Sequence, residues 1–150
     1  NAHLGQSESI KLGVKNSSGK GITFFTADQP LLSEKTILTL YYNFFKTNLI
    51  TIPIVNNNRF SPIFFPDEKK AEFLKLEGDS GGKPIIKSTP LINLISFSSE
   101  KEFSDIDTEE DYNNIKKGYW NSITFFANFI KNIFPFIKTI ILLYHFDKSN

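Results

Sequence analysis

The chain has no cysteine and no methionine. Without thiols it forms no disulfide, offers no thiolate nucleophile and builds no zinc–thiolate site, and a reducing cytoplasm is its simplest setting. Histidine is almost as scarce. His3 and His145 stand near opposite ends without metal-binding spacing, and each reads as a surface residue. Arginine occurs only at Arg59, so a planar fork for phosphate or carboxylate is available at one position. A net charge of +1 makes no electrostatic case for a nucleic-acid partner. No charge-free stretch reaches the roughly 20 residues that a membrane span needs. No basic start followed by an apolar run marks a signal peptide. The missing initiator methionine reads as a trimmed or partial chain.

What is present suits one globular domain: 150 residues, 40% of them hydrophobic and 22% charged. Ile10 and Val14, four apart, predict the end of a short amphipathic helix over 9–15. NSSGKG (16–21) invites comparison with a P-loop and fails it. Gly13 and Gly19 are one residue too far apart, and Lys20 is followed by Gly21 rather than Ser or Thr, so a surface turn is the better reading. ITFFTA (22–27) has the β-branched and aromatic content of a buried strand. Ser33 offers an N-cap for a helix over 34–46 with Ile37, Leu38, Tyr41, Tyr42, Phe44 and Phe45 as its apolar face. ITIPIV (50–55) predicts a second strand, which Pro53 assigns to an edge or a strand end. PIFF (62–65) and LINLISF (91–97) read as further strands. Asp67 reads as the cap of a helix over 68–76, and a short helix runs from GDSGG (78–82) to about Lys87. Thr108 is placed to cap a helix with three acids in its first turn. Strands alternating with helices imply an α/β layer fold. From 118 to 150, polar residues recur every three or four positions opposite Ile123, Phe126, Ile130, Ile137 and Ile141. That pattern predicts an amphipathic helix kinked at Pro135.

Chemistry concentrates where apolar runs meet acids. Asp28 ends the strand FFTA and is followed by Gln29 and Pro30. In open α/β sheets ligands bind beyond the carboxyl ends of the strands, and a carboxylate there can hold magnesium beside substrate phosphates. The equally direct alternative is that Asp28 caps a turn. Asp105 and Asp107 alternate on an extended segment and share one side, where one could reach the same ion. Against that stands the simpler reading of acids favoured by a helix dipole. GDSGG presents backbone N–H groups that suit an anion, although glycine-rich turns are common.

GQSESIKLGV (5–14), TADQPLLSEKTI (26–37), RFSPIFF (59–65), LEGDSGGKPII (76–86) and FSDIDTEEDY (103–112) stand in an order and spacing that resembles the MobA-like nucleotidyltransferases. In wording they are most similar to the molybdenum cofactor cytidylyltransferase (MocA-like) branch. The resemblance implies a Rossmann-like nucleotidyltransferase fold. Residues 1–117 would be the C-terminal portion of that domain, and 118–150 an added amphipathic helix. It implies transfer of CMP from CTP, or of a nucleotide from another NTP, to molybdopterin, with Mg2+ as cofactor. Carried over by motif, Asp28 is the catalytic, metal-holding aspartate of D-x-P, and Asp107 of D-T-x-E-D is a second metal contact. Arg59, Ser61 and Pro62 match R-G-N-P on the acceptor side, with Phe60 in place of the glycine. Gly78, Asp79 and Gly81 match G-D-x-G, also on the acceptor side. The family's opening loop, L-A-A-G-x-S-x-R-M-G-x-x-K, has no counterpart here, so the expectation is an incomplete chain without turnover. The alternative is a non-catalytic acceptor-binding or assembly domain whose 118–150 helix docks on a protein or membrane surface. A sugar-nucleotide acceptor is a third reading, from which TADQP and G-D-x-G lean away.

Overall fold

The computed structural model describes residues 6–26, 29–106, 108 and 138–142. In chain order the elements are α1 (Gln6–Lys15), β1 (Gly21–Thr26), α2 (Glu34–Thr47), β2 (Ile50–Val55), β3 (Asn58–Arg59), β4 (Ile63–Pro66), α3 (Lys70–Phe73), α4 (Lys83–Ser88), β5 (Ile92–Ser96) and β6 (Lys138–Leu142). Single 3-10 turns at Asp67–Lys69 and Lys101–Phe103 complete them. One sheet runs β3-β2-β4-β1-β6, with β5 pairing on β2 away from this path. β1 is antiparallel to β4 and β4 to β2, while β6 lies parallel to β1 and β5 parallel to β2. The carboxyl ends of β1, β2, β5 and β6 therefore share one edge of the sheet.

Both faces of β1, β2 and β4 are covered, which is why these strands read as nearly continuous apolar runs. On one face Ile22, Ile50, Ile52 and Phe65 join Ile10 and Val14 of α1, Phe73 of α3 and Ile85 and Ile86 of α4. On the other, Phe25, Val55 and Phe64 join Ile37, Leu40 and Phe44 of α2, together with Phe103. Ser33 caps α2 as its sequence position predicts, its Oγ accepting from the Thr36 N–H at 3.2 Å. The buried stripe of α2 is Ile37, Leu40 and Phe44, whereas Tyr42 and Phe45 remain exposed. Phe44 lies against the backbone of β1. A Cβ on Gly21 would stand 2.6 Å from Phe44 Cζ, so any larger residue there must displace a buried ring.

Three expectations are corrected. Pro53 lies inside the sheet rather than at its edge, since β2 pairs with β5 as well as with β3 and β4. The carbonyl of Pro53 accepts from the Phe60 N–H at 3.0 Å, so its nitrogen faces the gap between β3 and β4, where the ladder needs no donor. The helix expected over 68–76 is shorter, a 3-10 turn followed by α3. Neither start carries a side-chain cap, and Asp67 pairs with Lys70 instead. Lys138–Leu142, expected to be helical, is a strand. Thr139, Ile140 and Ile141 are β-branched in succession, and β1 supplies main-chain partners from Ile22 to Thr26. The remainder of the expected tail, and the helix expected after Thr108, lie outside the described residues.

Candidate functional site

At the shared carboxyl edge the segments that follow β1, β2 and β5 enclose a cavity of about 720 Å³ with the side of α4. Gln29 comes from the segment after β1, Arg59 and Ser61 from the hairpin after β2, Lys83 and Lys87 from α4, and Asp105 from the segment after β5. Lys83 and Lys87 are one helical turn apart, so both reach the same side while Ile85 and Ile86 enter the core. Three cations thus face one opening, a setting that attracts phosphate esters.

The loop after β1 and the segment after β5 are tied together. Gln29 Nε2 donates to the Phe103 carbonyl at 3.2 Å. The neighbouring Glu102 accepts from Thr36 Oγ1 at 2.6 Å, Ser33 Oγ at 2.8 Å and the Ser33 N–H at 3.3 Å. These charge-assisted bonds fasten the 3-10 turn to the first turn of α2, where the helix dipole also favours an anion. Burial works against the charged form of Glu102. The hydrogen bonds from Thr36 and Ser33, with Lys35 nearby, outweigh it and hold the carboxyl below its ordinary value. A depressed folded-state pKa gives stability that is present above the unfolded value near 4.5 and is lost as pH falls through the lower folded one. Denaturation midpoints measured from pH 6 to pH 3 are therefore expected to fall more steeply for the natural chain than for Glu102→Gln. Parallel curves would contradict the assignment.

The predicted residues divide into three groups. Arg59 and Ser61 line the cavity. Pro62 is buried, with the Ser61–Pro62 peptide cis. Gly78, Asp79 and Gly81 instead meet the start of α1. The Gly78 carbonyl accepts from the Ser7 N–H at 3.1 Å, Asp79 Oδ1 accepts from the Gln6 N–H at 3.1 Å, and a Cβ on Gly81 would stand 3.3 Å from Gln6 Oε1. Gly78 has φ +60°, a conformation that favours glycine. Asp28 and Asp107 lie outside the described residues, while their neighbours Gln29 and Asp105 both line the cavity. Among the described residues no group of three His, Asp or Glu side chains is placed to hold a metal, and no helix is long and apolar enough to cross a membrane. Lys83, Lys87 and Glu102 were not singled out from the sequence. The Lys83–Lys87 spacing signals a shared helical face, whereas Glu102 carries no local signature because its partners are distant in the chain.

The MobA-like NTP transferase domain matches residues 1–93. Among solved structures, the chain is similar to Rv0371c from Mycobacterium tuberculosis H37Rv, with a TM-score of 0.61 and 18% identity over 75% of this chain and 60% of that one. The Rv0371c complex with manganese gives a TM-score of 0.58 and 17% identity over 73% and 59% of the respective chains. An Rv0371c homolog from Mycobacterium sp. strain JC1 gives a TM-score of 0.58 and 18% identity over 82% and 58%. At such identities the likeness shows the fold, and the chain spans about 60% of the length of Rv0371c. No curated protein sequence matches the chain.

Proposed function

Because this chain belongs to the MobA-like NTP transferase family, we propose that it serves the transfer of CMP from CTP to molybdopterin, with Asp28 and Asp107 holding Mg2+. Nucleotidyl transfer is the activity the family implies; the nucleotide, acceptor, metal and residue roles are the finer parts of the proposal. The observation that carries it is the convergence of Arg59, Lys83 and Lys87 on the cavity that Gln29 and Asp105 also line. The acceptor phosphate meets those cations, and Ser61 offers a hydroxyl beside them. Asp28 and Asp107 offer hard oxygen donors of the kind that magnesium takes in ones and twos, the rest of its shell coming from substrate oxygens and water. When bound, the ion offsets charge on the phosphate oxygens and helps align the reacting groups. The protein's share is positioning. Gln29 and Glu102 tie the segment after β1 and the start of α2 to the turn at Lys101–Phe103, which holds this side of the cavity in place.

The 150 residues contain no counterpart of the family's glycine-rich triphosphate loop, so the expectation for this chain by itself is binding without turnover. Calorimetry is expected to show molybdopterin binding tightened at least tenfold by Mg2+, by analogy with sites that pair metal and phosphate. Incubation with CTP, Mg2+ and molybdopterin is expected to give no steady pyrophosphate release. Binding that is absent or indifferent to Mg2+ overturns the acceptor-and-metal reading; sustained release overturns the expected inactivity. A docking helix over 118–150 is not carried forward, because Lys138–Leu142 is part of the sheet.

A further inference from the structure

Phe60 stands where the family resemblance places a glycine, and it changes the character of the cavity. Its ring stacks on Phe103 with centroids 5.2 Å apart and planes 28° from parallel. Phe103 is itself only 3% exposed and is met edge-on by Phe97 at 5.3 Å. The backbone on both sides of the stack is fixed, because the Phe60 N–H donates to Pro53 and the Phe103 carbonyl accepts from Gln29. Phe60 and Phe103 both line the cavity, as do Arg59, Lys83, Lys87 and Asp105. The opening thus combines an immobilised aromatic wall with a cluster of cations.

We propose that Phe60 is a specificity-determining residue, selecting a phosphate ester whose organic part is a planar ring that lies against the Phe60 wall while its phosphate meets the three cations. This rests on the acceptor reading above and goes further by naming the residue that discriminates among acceptors. The physical reason is preorganisation. A ring already held by Phe103, which Phe97 in turn braces, loses little freedom when a second ring covers it, and offset stacking adds to the burial of area. A flexible or sugar-like ester would cover the same wall without stacking and gain less.

The test measures dissociation constants of methyl phosphate and 1-naphthyl phosphate by calorimetry without added metal, so that it is independent of Mg2+ and nucleotide. The natural chain is expected to bind the naphthyl ester about tenfold more tightly, the scale of one aromatic contact plus its buried area. Phe60→Leu keeps an apolar side chain in the fold and removes the planar face; it is expected to reduce that ratio at least threefold while leaving methyl phosphate binding within twofold. Arg59→Gln is expected to weaken both esters alike and preserve the ratio. A ratio near one in the natural chain, or a ratio unchanged in Phe60→Leu, overturns the proposal. Loss of the Mg2+ effect on molybdopterin with the naphthyl preference intact would instead overturn only the broader reading.

Discussion

Replacing Phe73 by alanine is expected to remove about 3–5 kcal/mol of folding stability. Phe73 is fully buried, and its ring meets Phe65 at 4.9 Å and Phe24 at 5.1 Å. Phe24 and Phe65 come from β1 and β4, so this one side chain, on the short α3, seals the junction of two strands. α3 itself spans only Lys70–Phe73, and so brief a helix has little intrinsic stability of its own. Truncation would leave a cavity that two strands and a helix cannot easily close. Since small domains are stable by about 5–15 kcal/mol, the loss would take a large share of the total. Urea denaturation followed by far-UV circular dichroism checks it, and a change below about 1 kcal/mol would show that the aromatic cluster repacks freely. Phe45, on the outer face of α2 and 52% exposed, is the natural control, because its truncation removes little buried area.

Asp28→Asn is the second large effect, expected at the metal. On the proposed roles it replaces an anionic oxygen donor by a neutral amide of nearly the same shape. Manganese binding, followed by electron paramagnetic resonance of the free ion, is expected to weaken about 100-fold, at least the cost seen when groups supporting a metal ligand are lost. Ser18→Ala, in the loop between α1 and β1, is expected to leave binding unchanged. Equal affinities for the natural chain and Asp28→Asn would remove Asp28 from the metal site while leaving the aromatic and cationic cavity standing. The thermal midpoint of Asp28→Asn is expected to stay within about 2 °C of the natural chain, because a carboxylate and an amide of nearly the same volume exchange without opening a cavity.

Local signals were legible and distant ones were not. Ser33 announces the start of α2 because capping is a bond between residues three apart, and Ile10 with Val14 announces α1 because a helix repeats over four. Leu40 went unremarked beside its aromatic neighbours, yet it is fully buried while Tyr42 and Phe45 are not. Ring size was a poor guide to which face of α2 turns inward. Pro53 misled because the rule against proline in a sheet interior concerns the missing N–H. Here that nitrogen faces a break in the ladder created by another hairpin. Lys138–Leu142 misled for a related reason, since a helical repeat in polar residues yields to a neighbouring strand with unpaired main-chain groups. At the candidate site, Arg59 and Ser61 were identified by motif, whereas the clamp through Glu102 depends on Ser33 and Thr36, far away in sequence. The GDSG loop shows the converse case. Its motif is plain in the sequence, and its visible bonds are to the first turn of α1.

The parallel pairing of β6 with β1 bears on how the protein is made. β1 ends at Thr26 and β6 begins only at Lys138, so the second is translated long after the first. At roughly 5–20 residues per second, the polypeptide spends several seconds with one flank of β1 unzipped. Until β6 arrives, that flank of β1 is an unpaired strand edge of the kind that chaperones keep from pairing with other chains.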